Sequence, residues 1–423
     1  MPLQSHLFVA AAVKDEALGP LRALLETMTL PGKPGQADPA NALVPFGRID
    51  RLHLARFVLL EDPSLGDRLI CTDLPPQEPT RLALLADGDG SPDELIAAFV
   101  GAATPGLTRI FGYCEGFGSG SLGDWMRAHR CRPAACYNNW PGRGARQIRE
   151  EAALHRALQK AWIEHRTEHA NALWPILKNA GQHVPLSPVE QPGFAQRIRQ
   201  LLHFLAFPAL VLLLSPLLLI ALPIFILMLR SRERSDPVIA PRAQLARNRM
   251  LSEIEDHDVA NQYSAIGTIK PGRFRRWLTI VILWIINWAA RHIFTRGRLG
   301  RVNTIHCASW TFLDNHRRVY FASNYDGSRE AYNDDFINKV AFGLNLSFSN
   351  GLGYPRTDWL IVGGARHEQD FKRYLFHHQI PTQVWYNAFP GLTTYDMARN
   401  ARVRRAFEAG PAGGAPNSIL GEL

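Results

Sequence analysis

The longest apolar stretch of the chain covers residues 204–229, which are 26 consecutive residues without a charged side chain. About 20 apolar residues cross a bilayer as a helix, and a helix that is apolar on every side is not typical of a soluble core. The pattern therefore predicts a membrane-inserted segment. Pro208, Pro216 and Pro223 lie inside it. Because proline removes a backbone N–H and crowds the preceding turn, a straight span and a re-entrant hairpin both stay open.

A second apolar run, residues 277–290, is 14 residues long and contains Trp277, Trp284 and Trp288. It is too short to span a bilayer comfortably, arginines lie on both sides of it, and tryptophan favours the headgroup region. These features predict an amphipathic helix that lies in the membrane plane. The alternative is an ordinary buried helix.

Charge is concentrated beside these two segments. Residues 230–301 hold 14 Lys and Arg against six Asp and Glu, so +8 of the net charge of +9 lies there. This position favours anionic lipid headgroups over nucleic acid as the partner. Arginines flank both ends of residues 204–229, so a cytoplasmic location of both soluble halves satisfies the positive-inside rule most easily. Five cysteines without paired spacing fit a reducing compartment and predict no metal site.

The two regions that surround the membrane block resemble each other. Three pairs of segments recur in the same order at similar offsets, namely residues 52–57 with 305–310, 89–91 with 326–328, and 136–142 with 385–391. Three blocks in one order indicate an internal duplication with two copies.

Strand-like and helix-like patterns interleave in the second copy. Strands are expected at residues 304–313, 318–324, 344–349, 359–363 and 382–388, and helices at 330–342, 368–378 and 394–408. The pattern predicts an α+β fold of tandem ferredoxin-like halves. The expected units are a first half (1–165), a linker (166–200), a membrane segment (201–230), a basic connector (231–276), an interfacial Trp-rich helix (277–300), a second half (301–410) and a flexible tail (411–423).

Residues 323–327 read Ser-Asn-Tyr-Asp-Gly, and residues 85–90 read Leu-Ala-Asp-Gly-Asp-Gly. Two ferredoxin-like halves with Asp-Gly at a strand-to-helix turn resemble the dimeric α+β barrel superfamily, which includes dye-decolourising peroxidases and chlorite dismutases. The peroxidases carry G-x-x-D-G beside haem, and the leading glycine is absent here. The resemblance implies haem as cofactor and Asp326 as an acid-base residue.

Histidines are the remaining candidates for chemistry. His306 and His378 each have a counterpart in the first copy, His53 and His129. A haem iron needs a neutral imidazole whose other nitrogen is held by an acceptor, so His306 and His378 are candidate cofactor ligands. Asp326 and His306 are the candidate catalytic pair. The structural alternatives are a helix-capping role for the two Asp-Gly-Ser turns, with a capping box at residues 91–94 in the first copy, and histidines that serve the core or a helix end.

Three functions stay open at this point. The leading one is a membrane-bound protein that receives an apolar or lipid-derived small molecule. The second is a haem-dependent, peroxidase-like oxidoreductase, and the third is a non-enzymatic membrane scaffold. Nucleic acid is not expected as a partner.

Overall fold

The fold is taken from a computed structural model, which describes residues 4–61, 78–118, 120–168, 170–189, 193–236, 245–295, 299, 302–410 and 419–423. The predicted membrane segment and most of both soluble halves are inside these ranges. The predicted tail at 411–423 lies outside them except for its last five residues.

The protein is α+β, as the alternating patterns predict. The strands are β1 (Gln4–Ala12), β2 (Thr29–Leu30), β3 (Lys33–Ala37), β4 (Leu52–Leu60), β5 (Arg81–Asp89), β6 (Ala135–Asn138), β7 (Ala260–Thr268), β8 (Ile305–Leu313), β9 (Arg318–Asp326), β10 (Thr357–Asp358), β11 (Val362–Gly363) and β12 (Thr382–Asn387). The helices are α1 (Leu18–Glu26), α2 (Pro92–Phe111), α3 (Leu122–Ala128), α4 (Ala145–Glu164), α5 (Ala170–Gln182), α6 (Phe194–Ser235), α7 (Leu245–Glu253), α8 (Arg273–His292), α9 (Arg329–Phe348), α10 (Glu368–His378) and α11 (Thr394–Ala409).

Two sheets carry the fold. The first has the order β1-β5-β4-β12-β3-β2, and the second has the order β6-β8-β9-β7. The long strands are rich in β-branched, aromatic and leucine residues, and β4 is buried along its whole length. A strand that is buried on both faces must have other elements packed against each face. One face of β4 packs against the second sheet, and helices pack against its opposite face.

Each sheet includes one strand from the other part of the chain. Strand β6 pairs antiparallel with β8, so that Ala135 lies opposite Trp310. Strand β12 pairs antiparallel with β4, so that Tyr386 lies opposite Ala55. The first and second parts of the chain are therefore held together by backbone hydrogen bonds as well as by side-chain packing.

Single bridges join the remaining edges of the two sheets. Arg130, just before β6, bridges to Val9 of β1, and Gln379, just before β12, bridges to Ala265 of β7. These bridges close eight of the strands into a ring, which protects edges that would otherwise stay unpaired. The ring interior holds an apolar cluster that includes Phe8 and is contributed by both sheets.

The helices on the outer faces share local features. Helix α2 is interrupted at Ala103 (φ −143°, ψ 22°), and α9 is interrupted at Val340 (φ −141°, ψ 27°). Serine caps the first turn of both helices, Ser91 for α2 and Ser328 for α9. The structure therefore supports the capping interpretation of the two Asp-Gly-Ser turns.

The apolar stretch at 204–229 lies within α6, a single helix of 42 residues. At 1.5 Å per residue it is about 63 Å long. Neither the three prolines nor any other described residue turns it back into a hairpin. Among the described residues, two helices are long and apolar enough to cross a membrane, α2 and α6. Helix α2 packs in the core of the first sheet, whereas the apolar window of α6 is exposed.

The region between α6 and β8 is organised differently from the expected units. The stretch 231–276, expected to be a basic connector, contains β7, the edge strand of the second sheet. The expected interfacial helix begins earlier, as α8, and one of its faces packs against this sheet. Sequence pattern missed β7 because its residues, Ala-Asn-Gln-Tyr-Ser-Ala-Ile-Gly-Thr, do not alternate clearly between apolar and polar side chains.

Most expected elements of the second half are confirmed, and two are wrong. Residues 359–361 form a turn, so the strand expected at 359–363 is reduced to the two residues of β11. Helix α10 has the expected bounds, and α11 extends one residue beyond the expected end. Residues 344–349, expected as a strand, continue α9 as far as Phe348. Tertiary packing explains the difference, because Leu344 is buried against Tyr354 and Phe371 on the side of α10.

Candidate ligand cavity and polar clusters

An apolar cavity lies on the helix side of the second sheet. Its volume is ≈ 160 Å³, and its walls are the outer faces of β7, β8 and β9 together with α8, α9 and α10. Aromatic side chains dominate the walls, among them Tyr263, Trp310, Phe321 and Phe348. Its described lining contains no Asp, Glu, Lys or Arg. An apolar cavity of this size in another protein stays dry and admits a benzene-sized molecule.

The tyrosines of the wall are neutral hydrogen-bonding groups. Burial raises the pKa of Tyr263 and Tyr332 well above the ordinary value, so both phenols keep their protons. The Tyr263 hydroxyl donates to the Leu375 carbonyl oxygen at 3.1 Å. The polar groups of these tyrosines are therefore uncharged, and such a wall suits an uncharged apolar ligand.

Two buried N–H groups in the wall have no hydrogen-bond partner among the described residues. They are Nε1 of Trp310 and Nδ2 of Asn333, whose residues are 6% and 2% exposed. A buried donor without a partner costs free energy, of the order of 1–3 kcal/mol. Each N–H is itself enclosed by its neighbours, so an oxygen acceptor on a ligand in the cavity would recover this energy after a small side-chain movement.

The cavity opens toward α6. Phe342 of α9 lines the cavity and is 51% exposed, so it marks the mouth. One turn further along α9, Leu346 also lines the cavity and packs on a cluster formed by Leu229 of α6 and Leu278 of α8. The entrance is therefore next to the apolar helix.

Of the three predicted site residues, only His378 lines this cavity. Its Nδ1 lies 2.8 Å from the carbonyl oxygen of Tyr374, and since a carbonyl only accepts, Nδ1 carries the proton. His129 makes the same contact with the carbonyl oxygen of Trp125, at 2.9 Å. The repeated contact indicates a helix-end role, as the structural alternative expected.

His306 and Asp326 are brought together, but away from the cavity. Nε2 of His306 lies 2.6 Å from Oδ1 of Asp326. The other carboxylate oxygen of Asp326 accepts from the backbone N–H of Thr394, the first residue of α11, at 2.8 Å. The pair thus ties β8 and β9 to the start of α11, where the helix dipole favours a negative charge.

The first part of the chain repeats this arrangement. Nε2 of His53 lies 2.9 Å from Oδ1 of Asp89, and Oδ2 of Asp89 accepts from the backbone N–H of Ala145, the first residue of α4, at 2.7 Å. The backbone hydrogen bonds of the two histidines also match. The His53 carbonyl oxygen accepts from the backbone N–H of Ala388, just after β12, and the His306 carbonyl oxygen accepts from that of Asn139, just after β6, both at 2.9 Å.

A second polar cluster lies inside the strand ring, and sequence reasoning did not single it out. Arg56 of β4 donates to Ser264 Oγ at 2.9 Å and to the Ser323 carbonyl oxygen at 3.0 Å, so it links the two sheets. Charge-assisted bonds of this kind are stronger than neutral ones. The available signal was a single charged side chain, Arg56, within a strand that is otherwise apolar except for His53.

The same interior holds an imidazole, a carboxylate and a thiol in contact. His6 pairs with Asp87, and Cys307 Sγ donates to Asp87 Oδ2 at 3.1 Å. Burial opposes a charge on His6, but Cys136 and Asp87 together raise its pKa well above the ordinary value. Burial also raises the pKa of Cys307 well above its usual value, so the thiol stays protonated.

This interior has no room for a ligand. The space beside the cluster is ≈ 10 Å³, which is about the volume of one water probe. Within the described ranges, no three His, Cys, Asp or Glu side chains are arranged to hold a metal ion. The cluster therefore joins the two sheets, whereas the cavity under α8 and α9 is the site with space for a molecule.

No family model, no curated protein and no solved structure matches this chain.

Proposed function

We propose that this protein is a membrane-attached ligand-binding protein whose cavity beside β7, β8 and β9 receives an apolar or lipid-derived molecule. The observation that carries the proposal is an uncharged, aromatic-lined cavity of ≈ 160 Å³ whose mouth at Phe342 lies beside the exposed apolar helix α6. A ligand that partitions into lipid would reach this mouth without crossing water.

The proposal includes the type of ligand. The cavity has room for one ring or a short chain segment, so the remainder of a longer ligand would extend through the mouth. The two unpartnered donors, Trp310 Nε1 and Asn333 Nδ2, favour a ligand with a carbonyl, ether or hydroxyl oxygen over a pure hydrocarbon.

The proposed architecture is a tandem duplication of ferredoxin-like halves that exchange their last strands. The support is the repeated geometry: the His53–Asp89 and His306–Asp326 pairs, the matched interruptions of α2 and α9, and equivalent strand orders in both sheets. Chance placement of so many matched features in one order is improbable in a chain without duplication.

The other two functions have less support. A porphyrin is several times larger than the benzene-sized space in the cavity, and His306 and Asp326 bond each other outside its lining. A scaffold without a ligand would not need an uncharged cavity with unpartnered donors, because such a cavity costs stability.

The test is binding of small aromatic probes to the purified full-length protein in detergent, followed by ¹⁹F NMR. We expect fluorobenzene to bind, and 4-fluoroacetophenone, which adds an oxygen acceptor, to bind at least threefold more tightly. Ala265→Leu on β7 and Ala290→Leu on α8 fill the cavity from opposite walls. Each should weaken both probes at least tenfold.

The matched control is Ala23→Leu, the same change at an exposed position of α1. It should leave both affinities unchanged. Wild-type protein that binds neither probe, or cavity variants that bind as well as the control, would overturn the proposal. Equal affinity for the two probes would remove the role given to the two donors.

A further inference from the structure

The long helix α6 runs beside α8 over nearly its whole apolar length. Near one end, the rings of Phe204 and Trp288 stack with centroids 5.6 Å apart. Near the other end, Phe225 packs on Phe274 at 5.8 Å. Because a higher residue number on α6 meets a lower one on α8, the two helices are antiparallel. The contacts cover about 31 Å along α6 at 1.5 Å per residue.

The opposite side of α8 belongs to the core of the second sheet. Leu283 and Ala290 belong to that core, and Ile286 packs against it, whereas Leu278 and Ile282 pack with Leu229 of α6. Asn287 Oδ1 of the same helix also accepts from the backbone N–H of Cys136 in β6, at 3.2 Å. Helix α8 is therefore fixed to the folded body along its length.

The end of α6 is also fixed to the body. The carboxylate of Glu233, which is fully buried, accepts from the backbone N–H groups of Trp359 and Leu360 at 3.0 and 2.8 Å. Just beyond the helix, Asp236 pairs with Lys270 and Arg275, both at 2.6 Å. These buried ionic contacts hold the helix against the body, since breaking one leaves an unpaired buried charge.

These contacts limit how α6 can meet a bilayer. A helix that crosses the hydrocarbon core, about 30 Å thick, would carry α8 and the attached sheet into the lipid beside it, since the contacting part of α8, residues 274–288, spans about 21 Å. The body on that side also carries charged side chains, such as the Asp335–Lys339 pair of α9, which packs beside α8. Burying those groups in hydrocarbon would be very costly.

We propose that α6 does not cross the membrane but lies in its plane, so that the protein is monotopic and both ends of α6 face the same side. This inference rests on the membrane attachment in the proposed function. Because the apolar part of α6 is apolar on every side, it lies just below the headgroups and parallel to the membrane surface, with α8 beside it, and the cavity mouth between α8 and α9 faces lipid.

The distribution of exposed apolar side chains agrees with this orientation. Among the described residues before 189, the only exposed large apolar side chain is Ile163. On the side of α6, by contrast, the body exposes a group of large apolar residues on α8, α9 and the β10–β11 hairpin, namely Trp277, Val281, Trp284, Ile285, Phe342, Trp359, Ile361 and Val362. Such a one-sided apolar surface marks an interaction site.

The charges at the two ends of α6 are explained by the same orientation. Arg197 and Arg199 precede the apolar stretch, and Arg230, Arg232 and Arg234 follow it. A helix in the plane places both groups at one headgroup layer, where arginines are attracted to an anionic surface. A crossing helix would place one of the two groups on the opposite side.

The experiment measures which side of sealed vesicles each end of α6 faces. Gln200→Cys and Ser231→Cys introduce exposed cysteines on either side of the apolar stretch, and Ala23→Cys marks the body. Full-length variants in sealed vesicles are treated with a membrane-impermeant maleimide before and after permeabilisation, and labelled peptides are identified by mass spectrometry. We expect the same protected fraction at all three positions.

The opposite result is a complementary pattern, in which one end of α6 is protected wherever the other end is labelled. That pattern would overturn the in-plane assignment, and so would two ends that stay unreactive after permeabilisation. Failure of the attachment itself is seen separately, because unlabelled wild-type protein would then stay in the supernatant when vesicles are sedimented. Ala23→Cys reports vesicle orientation in every sample.

Discussion

Single buried residues determine how the protein responds to pH, and Glu255 is the clearest case. It is 5% exposed, accepts a hydrogen bond from Gln379 Nε2 at 2.7 Å, and lies 3.6 Å from Arg329. Burial outweighs the attraction of Arg329 and raises the pKa of Glu255 to about 7. The folded protein therefore binds a proton that the unfolded chain releases nearer pH 4.5.

This linkage predicts a loss of stability as the pH rises. Between about pH 4.5 and 7 the folded state binds more protons than the unfolded state, so the free energy of unfolding falls as pH increases. The shift corresponds to about 3 kcal/mol at most. Glu255→Gln removes the titrating group. The difference in unfolding free energy between wild type and variant should therefore change across this pH window, as measured by denaturant titration in detergent.

Other titrating groups, His6 among them, are common to both proteins, so the difference isolates Glu255. Glu330→Gln is a suitable control, since Glu330 also contacts Arg329 but its side chain is 60% exposed. A difference between wild type and Glu255→Gln that is constant from pH 4.5 to 8 would contradict the raised pKa.

At the scale of elements, the helices begin where the sequence provides caps. Ser91 accepts from the backbone N–H of Glu94, and the Glu94 carboxylate accepts from the backbone N–H of Ser91 at 2.7 Å, which completes a capping box before α2. Thr393 and Asp396 form the same box before α11. These four residues satisfy backbone donors that have no partner within the helix.

Removal of the Ser91 cap gives a prediction at this scale. Ser91→Ala should lower the free energy of unfolding by about 1 kcal/mol, because one N–H of the first turn loses its acceptor. Ser91→Gly should cost only a few tenths of a kcal/mol, since glycine is tolerated at this position. Denaturant midpoints distinguish the two variants. Equal losses would show that the side chain of Ser91 does not cap α2 in solution.

Element boundaries also show where sequence patterns were sufficient. Helix α10 has the bounds expected from its apolar spacing, because its buried residues Phe371, Tyr374 and His378 follow one face. The continuation of α9 through residues 344–348 was not predicted. There, Leu344 packs on Tyr354 and Phe371, which are close only in the folded protein.

At the scale of the whole molecule, the proposed attachment to the membrane depends on the apolar surface of α6. Leu213 and Ile220 are 76% and 74% exposed and lie seven residues apart, on one face of the helix. Lysine at the bilayer centre costs about 2.5–3.5 kcal/mol, and less near the interface. The double variant Leu213→Lys, Ile220→Lys should move from the vesicle pellet to the supernatant.

A lysine outside the apolar surface provides the control. Ile163 is 56% exposed and lies in α4, so Ile163→Lys should sediment with vesicles as the wild type does. If the double variant remained in the pellet at low and high salt alike, α6 would not be the attachment site. Retention only at low salt would instead point to the arginines.

The sequence by itself determined the properties that depend on neighbours along the chain. An uninterrupted apolar run predicted the apolar part of α6, periodic spacing predicted α10 and α11, and Ser91 marked the start of α2, because each of these is a local effect. The pairing of β6 with β8 and of β12 with β4, the ring they close, and the cavity under α8 and α9 were decided only by the tertiary structure. Strand exchange depends on contacts between residues about 170 and 330 positions apart, and a cavity is space left between elements, so neither has a signature in a local pattern.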